Sequence, residues 1–252
     1  MTAMPPPPQR IEEAFLTSWP SLQHALYDGW LLRYADGYTK RANSVNALYG
    51  SSLDVGKKIS HCESAYRARG LPPIFRVTPF SQPAGLDEAL ASRGYARFDH
   101  SLVLYRAIGA QRPAGPSDDV WFAPHIDEWL PHYWRLNETP APSQDTHRAL
   151  LEASPSQLVP ICHLAQGEIV SCALGIVEQG FVGLYDMVTA PEVRRHGHAT
   201  RLIQGILYWA HMAGARHAYL QVVAANEAAR ALYAGLGYGE CYDYWYRVPP
   251  RE

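Results

Sequence analysis

Apolar residues recur with a helical period at Ala199, Leu202, Ile203, Ile206, Leu207, Ala210 and Ala213, and Gly214 stands at the exit. This spacing predicts an amphipathic helix of about four turns with one face laid on a sheet. Ahead of it lie three strand-like runs, 158–165, 169–177 and 181–188, separated by Gln166-Gly167-Glu168 and Glu178-Gln179-Gly180. Gaps that short and glycine-bearing predict an antiparallel meander. Beyond the helix the pattern predicts a buried strand at 217–223, a helix at 227–235 and a closing strand at 242–248. Upstream, 129–136 and 146–153 read as helices, with a loop through Pro140 and Pro142 between them.

The N-terminal half opens on Pro5-Pro6-Pro7-Pro8, which cannot enter a helix or donate to a sheet, so 1–10 is expected as a flexible leader before a short amphipathic stretch at 10–19. Strands are expected at 30–34 and 43–49, joined as a hairpin through Ala35-Asp36-Gly37-Tyr38. A helix over 55–69 is stopped by Gly70, Pro72 and Pro73, a strand follows at 74–77, a helix at 86–92 closes on Gly94, and a last strand runs over 98–105. Residues 109–118 have no apolar periodicity and carry two prolines and two glycines, the composition of an exposed connector. The expected organisation is thus a first domain at 11–108, a linker at 109–118 and a second domain at 119–252. Both end alike: a helix, a glycine stop, Tyr95 or Tyr238, then a final strand.

Composition narrows the classes. With 47% hydrophobic residues among 252, the chain can fill one large core or two modest ones. A formal net charge of −2 offers no general attraction to nucleic acid or an anionic membrane, so neither is expected as a partner. No apolar run approaches the ~18 residues of a membrane span, and the start has no signal-like apolar core, so a cytoplasmic location is expected. Cys62, Cys162, Cys172 and Cys241 are scattered and read as reduced, buried thiols.

Chemistry concentrates where the third meander strand hands over to the strong helix, Val188 to Thr200. A helix start exposes unpaired backbone N–H groups, the small residues Gly197 and Ala199 allow close approach, and Arg194 and Arg195 add positive charge, as a diphosphate requires. The bland alternative is that Gly197 eases the turn and the arginines are solvated. His196 and His198 have no third ligand nearby, so no metal is expected.

Arg194 to Ala199 resembles the Gln/Arg-x-x-Gly-x-Gly/Ala motif of the GNAT-type N-acetyltransferase superfamily, and Asn226 through the Leu232-Tyr233-Ala234-Gly235-Leu236-Gly237-Tyr238 ending resembles its second motif. The likeness covers about 120–248. It implies an α+β fold: two GNAT-like domains in tandem, each a mostly antiparallel mixed sheet flanked by helices, the first degenerate and without the cofactor motif. It also implies acetyl-CoA as co-substrate. Met187 and Thr189, flanking Val188 on a splayed strand end, would pair with the pantetheine arm; the N–H groups of Arg195, His196, Gly197, His198, Ala199 and Thr200 would hold the pyrophosphate. Asn226, with Arg230 on the helix behind it, completes the implied cofactor set. Tyr233 would protonate the departing thiolate as the amine attacks. Asp186 is the nearest candidate base, although in a regular strand its side chain can point away from the site; Glu138 and Glu168 stay open.

In the first half, Asp28 to Arg33 and Arg41 to Ser44 resemble stretches of tandem chains of this kind, implying a structural role that extends to walling the acceptor site. Trp30, Tyr34 and Tyr49 are candidates to line a pocket there. The acceptor is a small-molecule or peptide amine of open identity, the oligomeric state is not legible, and the rival reading is a non-catalytic acyl-CoA-binding sensor or scaffold.

Overall fold

The computed structural model describes residues 6–250. Its first half runs α1 (Pro8–Ser18), β1 (Gln23–Tyr27), β2 (Trp30–Tyr34), β3 (Val45–Ala47), α2 (Val55–Arg67), β4 (Phe75–Val77), α3 (Leu86–Ser92) and β5 (Ala96–Ala107). The second runs β6 (Val120–Phe122), α4 (Ile126–Leu136), α5 (Ala141–Glu152), β7 (Gln157–Ala165), β8 (Glu168–Glu178) and β9 (Phe181–Thr189), then a short 3-10 turn (Pro191–Val193). It continues through α6 (His198–Met212), β10 (His217–Val223) and α7 (Glu227–Gly235) to β11 (Gly239–Val248).

The strands form one eleven-stranded sheet in the order β1-β2-β3-β4-β11-β5-β10-β9-β8-β7-β6. The middle of that order is an exchange. β5, the last strand of the first half, pairs antiparallel with β10 over Ser101–Ala107, while β11, the last strand of the second half, pairs with β4 at Phe75, Arg76 and Val77. The two exchanged strands pair with each other, and the only parallel pairs among the described strands, β3 with β4 and β9 with β10, stand symmetrically on either side. The fold is thus α+β and mostly antiparallel, two halves of matching strand arrangement sharing a single sheet.

Helix α6 packs on one face through Leu202, Ile203, Ile206 and Leu207, each fully or almost fully buried. Burying such side chains contributes about 1.5–3 kcal/mol apiece before entropy. It lies close because Gly175 faces Ile206 and Gly205 faces Ile161, where a Cβ would sit 2.6 and 2.8 Å from side-chain carbons. The opposite face is covered by α1, α4 and α5 through Phe15, Trp19, Trp129, Tyr133, Leu150 and Leu151.

Several boundaries differ from expectation for local reasons. α1 starts at Pro8, inside the segment read as a leader, because a proline in the first turn gives up an N–H that has no partner anyway; residues 1–5 lie outside the described part. The same rule lets α5 begin at Ala141, within the expected Pro140–Pro142 loop. The β2 hairpin partner towards the N-terminus, β1, has no alternating pattern and is mostly exposed, and β6 is three residues long, so neither was predicted. Trp30 and Tyr34 belong to the first half's own core and Tyr49 is exposed, so none of the three lines the cleft described below.

Candidate active site

β9 and β10 pair in parallel only as far as Leu184 opposite Leu220. Beyond that point β9 continues to Thr189 and β10 to Val223 without pairing, and the strands part around a cleft of about 1000 Å³. The opening is reinforced by a bulge: Leu174 of β8 faces Tyr185 and Cys172 faces Val188, so Ala173 stands opposite two residues, Asp186 and Met187. Asp186 takes φ +47° to make it. The bulge interrupts the alternation, which places Tyr185 and Asp186 on the α1/α4/α5 face and returns Met187 to the α6 face. The side chain that a regular strand would have turned away therefore enters the cleft.

Asp186 is held there by two donors. Tyr133 Oη donates to Oδ1 at 3.2 Å, and His147 Nε2 lies 3.0 Å from Oδ2. The His147 tautomer follows from its other nitrogen, since Nδ1 accepts the Trp134 indole N–H at 3.0 Å. Nε2 thus carries the proton and donates it to Asp186. Burial, reinforced by the Asp186 carboxylate, lifts the Tyr133 phenol far above its ordinary value, so it remains a donor.

On the other side of the cleft α6 begins. Its cap residue Gly197 has φ +83° and no side-chain cap, and Arg195 before it has φ +70°. Among the described residues, the six N–H groups from Arg195 to Thr200 meet no backbone or side-chain acceptor, and the first helical bond closes only at Arg201 N–H to Gly197 O, 3.1 Å. The corresponding helix of the first half, α2, starts differently: Asp54 accepts the Lys57 N–H at 3.0 Å and puts negative charge where the second half presents bare amides. Arg194 bends back through Nε to the Thr189 carbonyl at 3.1 Å, which leaves its terminal nitrogens without a protein partner among the described residues.

Met187, Val188, Thr189, Arg194, Arg195, Gly197, His198, Ala199 and Thr200 all border the cleft, as do Asn226, Tyr233 and Asp186. His196 and Arg230 do not; His196 Nδ1 bonds Val193 O and Arg230 Nη1 bonds Ala224 O. His198 is buried with its Nδ1 3.2 Å from His163 Nδ1, and His163 Nε2 meets Asp119 at 3.0 Å. Asn226 caps α7, its Oδ1 accepting the Ala229 N–H at 3.1 Å. Tyr233 projects from α7 with its hydroxyl 3.8 Å from Met187 Sδ, and burial pushes its phenol up to about 12. Glu138 and Glu168 are exposed and do not border the cleft, whereas Asp186 does.

The residues missed by sequence reasoning are Trp19, Tyr133, His147 and Gln221, together with the specific part played by Arg41. Only Arg41 carried a signal, as the first residue of the Arg41 to Ser44 stretch. That stretch and Asp28 to Arg33 are locked together: Asn43 Oδ1 accepts the Ala35 and Gly37 N–H groups at 2.7 and 3.1 Å, and the buried Arg33 guanidinium donates to the carbonyls of both Arg41 and Trp19. The first half thereby fixes two residues of the cleft wall. Among the described residues no cluster of three or more His, Cys, Asp or Glu is placed to hold a metal ion, and no helix is long and apolar enough to cross a membrane.

Comparison with known proteins agrees with this geometry. A Bacillus subtilis (strain 168) protein described as the uncharacterized N-acetyltransferase YobR is 28% identical over 244 residues, covering 95% of this chain and 98% of that one. A GCN5-related N-acetyltransferase from Kribbella flavida superposes with a TM-score of 0.70 at 16% identity, covering 97% and 96% of the two chains. An acetyltransferase of the GNAT family from Novosphingobium aromaticivorans gives 0.58 at 16% identity over 95% and 97%. A tandem GNAT protein from the clavulanic acid biosynthesis pathway gives 0.55 at 18% identity over 77% and 69%. The family model described as "Probable histone acetyltransferase Rv0428c C-terminal" matches residues 9–247. The chain belongs to that family and is a GNAT-type N-acetyltransferase.

Proposed function

We propose that the chain transfers an acetyl group from acetyl-CoA to a primary amine, with the cofactor entering from the α6/α7 side of the splayed strands and the acceptor from the α1/α4/α5 side. The observation that carries this reading is the row of unpartnered amides from Arg195 to Thr200 at an uncapped helix start, which suits a pyrophosphate. The open backbone edge of β9 at Met187 and Thr189 suits the pantetheine arm, and Asn226 keeps its Nδ2 available towards it. Acetyl-CoA supplies the activated acetyl group.

The chain's own residues then divide the proton transfers. Asp186, on the acceptor side, takes the proton that the amine sheds as its nitrogen bonds to the acetyl carbon. Tyr233, on the cofactor side, gives its proton to the sulfur as the carbon–sulfur bond breaks; a phenol held up at about 12 is fully protonated at neutral pH and ready to donate. The products are the acetylated amine and the free CoA thiol, and protons balance through solvent.

The test has two stages. Millimolar CoA is expected to raise the melting temperature, as any ligand of the native state does, and thiol release is expected with some amine of a broad panel. No shift and no calorimetric binding would remove the cofactor assignment. Binding without thiol release on any amine would favour the sensor reading.

A further inference from the structure

The acceptor end of the cleft is lined by two sets of groups of opposite hydrogen-bonding character. Asp186 forms one: a carboxylate, acceptor only, whose oxygens each take one protein donor and keep a free lone pair. Arg41, Gln221 and Trp19 border the same cleft, Trp19 stacked on Tyr185 at 5.2 Å. The Arg41 Nε donates to Gln221 Oε1 at 3.1 Å, and Tyr244 Oη donates to the same oxygen at 2.9 Å. Because Arg41 Nε can only donate, the atom it meets is the oxygen, so the Gln221 amide nitrogen is the end left over. That nitrogen is buried and has no hydrogen-bond partner, and the same holds for the indole N–H of Trp19, a residue 5% exposed. The Arg41 guanidinium borders the same cleft with the Tyr244 hydroxyl beside it.

Buried donors without acceptors are costly and rare in native proteins. Here Gln221 and Trp19 each carry such a donor and both residues border one cleft, where Arg41 adds a full positive charge that the nearby Tyr244 stabilises. Two of the three, Trp19 and Arg41, are the residues whose carbonyls Arg33 braces, so the set is built rather than incidental. What such a set lacks is a planar, singly charged acceptor that fits a guanidinium edge-on.

We propose that the acceptor is an amino-carboxylate, a free amino acid or a small molecule of that type, whose amine is taken by Asp186 and whose carboxylate is taken by Arg41 with Gln221 and Trp19. This rests on the acetyl-transfer reading above and narrows its acceptor. It also assigns the first half a chemical part: substrate selection through Arg41.

The experiment offers acetyl-CoA with each common amino acid beside its C-terminal amide, and with polyamines and a lysine-bearing basic peptide, and reads thiol release. At least one acid is expected to exceed its own amide by tenfold or more in kcat/KM, chiefly through KM. In Arg41→Gln that acid-to-amide ratio should fall towards one, a loss of roughly ten- to a hundredfold for a hydrogen bond to a charged group. Gln221→Glu, which puts a carboxylate beside the proposed one, should depress the same ratio and guards against Arg41→Gln failing to fold. Amides used as well as acids, turnover confined to polyamines or the peptide, or an unchanged ratio in both variants would overturn the proposal while leaving acetyl transfer standing. Absence of thiol release with every amine would overturn the transferase reading itself.

Discussion

Glu12 of α1 and Arg76 of β4 form a buried two-pronged ion pair, Nε to Oε1 at 2.7 Å and Nη2 to Oε2 at 2.9 Å, in the middle of the shared sheet. Tyr242 of β11 donates to the same carboxylate at 2.6 Å, and the guanidinium lies 3.3 Å from the centre of the Tyr244 ring. One helix is thereby tied to strands from both halves at the seam where they exchange. Removing one partner leaves the other charged and dry, so Glu12→Ala should cost about 3–5 kcal/mol. A urea midpoint shift equivalent to less than about 1 kcal/mol would show that the pair contributes little.

Tyr233→Phe should lower kcat by about 10²–10⁴ while CoA affinity measured by calorimetry changes little. The same assignment has a pH signature. Since burial raises this phenol to about 12, the acid form persists as pH rises through the ordinary tyrosine value, and kcat should not fall between pH 9 and about 11. A descending limb near 10 would contradict the assignment.

Asp186→Asn should reduce kcat/KM at neutral pH by about 10²–10⁴. The deficit should narrow as pH approaches the amine's own pKa, where free amine forms without a base. A deficit that stays constant with pH would point to a packing role for Asp186. His147→Ala, which takes away the Oδ2 donor, should weaken the reaction less than Asp186→Asn and in the same pH-dependent way.

Ser18, Tyr185 and Tyr219 close a triangle of hydroxyls with sides of 2.7, 2.8 and 2.9 Å beneath the cleft. Gly183 makes room for it, since a Cβ there would stand 2.8 Å from both tyrosine oxygens. Gly183→Ala should destabilise by about 1–3 kcal/mol through overpacking. An unchanged melting temperature would mean that the triangle can shift aside.

Much of the site was legible because its parts are local. The period of Leu202, Ile203, Ile206 and Leu207 placed α6, Gly197 placed its start, and Tyr233 sits on a helix of which both ends were predicted correctly. Turn chemistry likewise predicted the β7-β8-β9 meander. What escaped were elements with no pattern of their own, such as β1 with its exposed Gln23–Tyr27, and the start of α5, where two prolines that read as a loop occupy the cap and first turn. The thiols of Cys162 and Cys172 read as scattered, yet the register of β7 and β8 sets them side by side at 3.3 Å.

By itself the sequence determined the strand-to-helix junction that presents bare amides and the tyrosine behind it, because a period, a glycine and a missing cap act over a few neighbouring residues. Only the tertiary structure decided that β5 and β11 change places, that a bulge turns Asp186 into the cleft, and that Trp19, Arg41 and Gln221 line the same cleft. Those outcomes depend on pairings between residues far apart in the chain, whose energies come from register, burial and charge compensation. None of these leaves a trace in the spacing of adjacent residues.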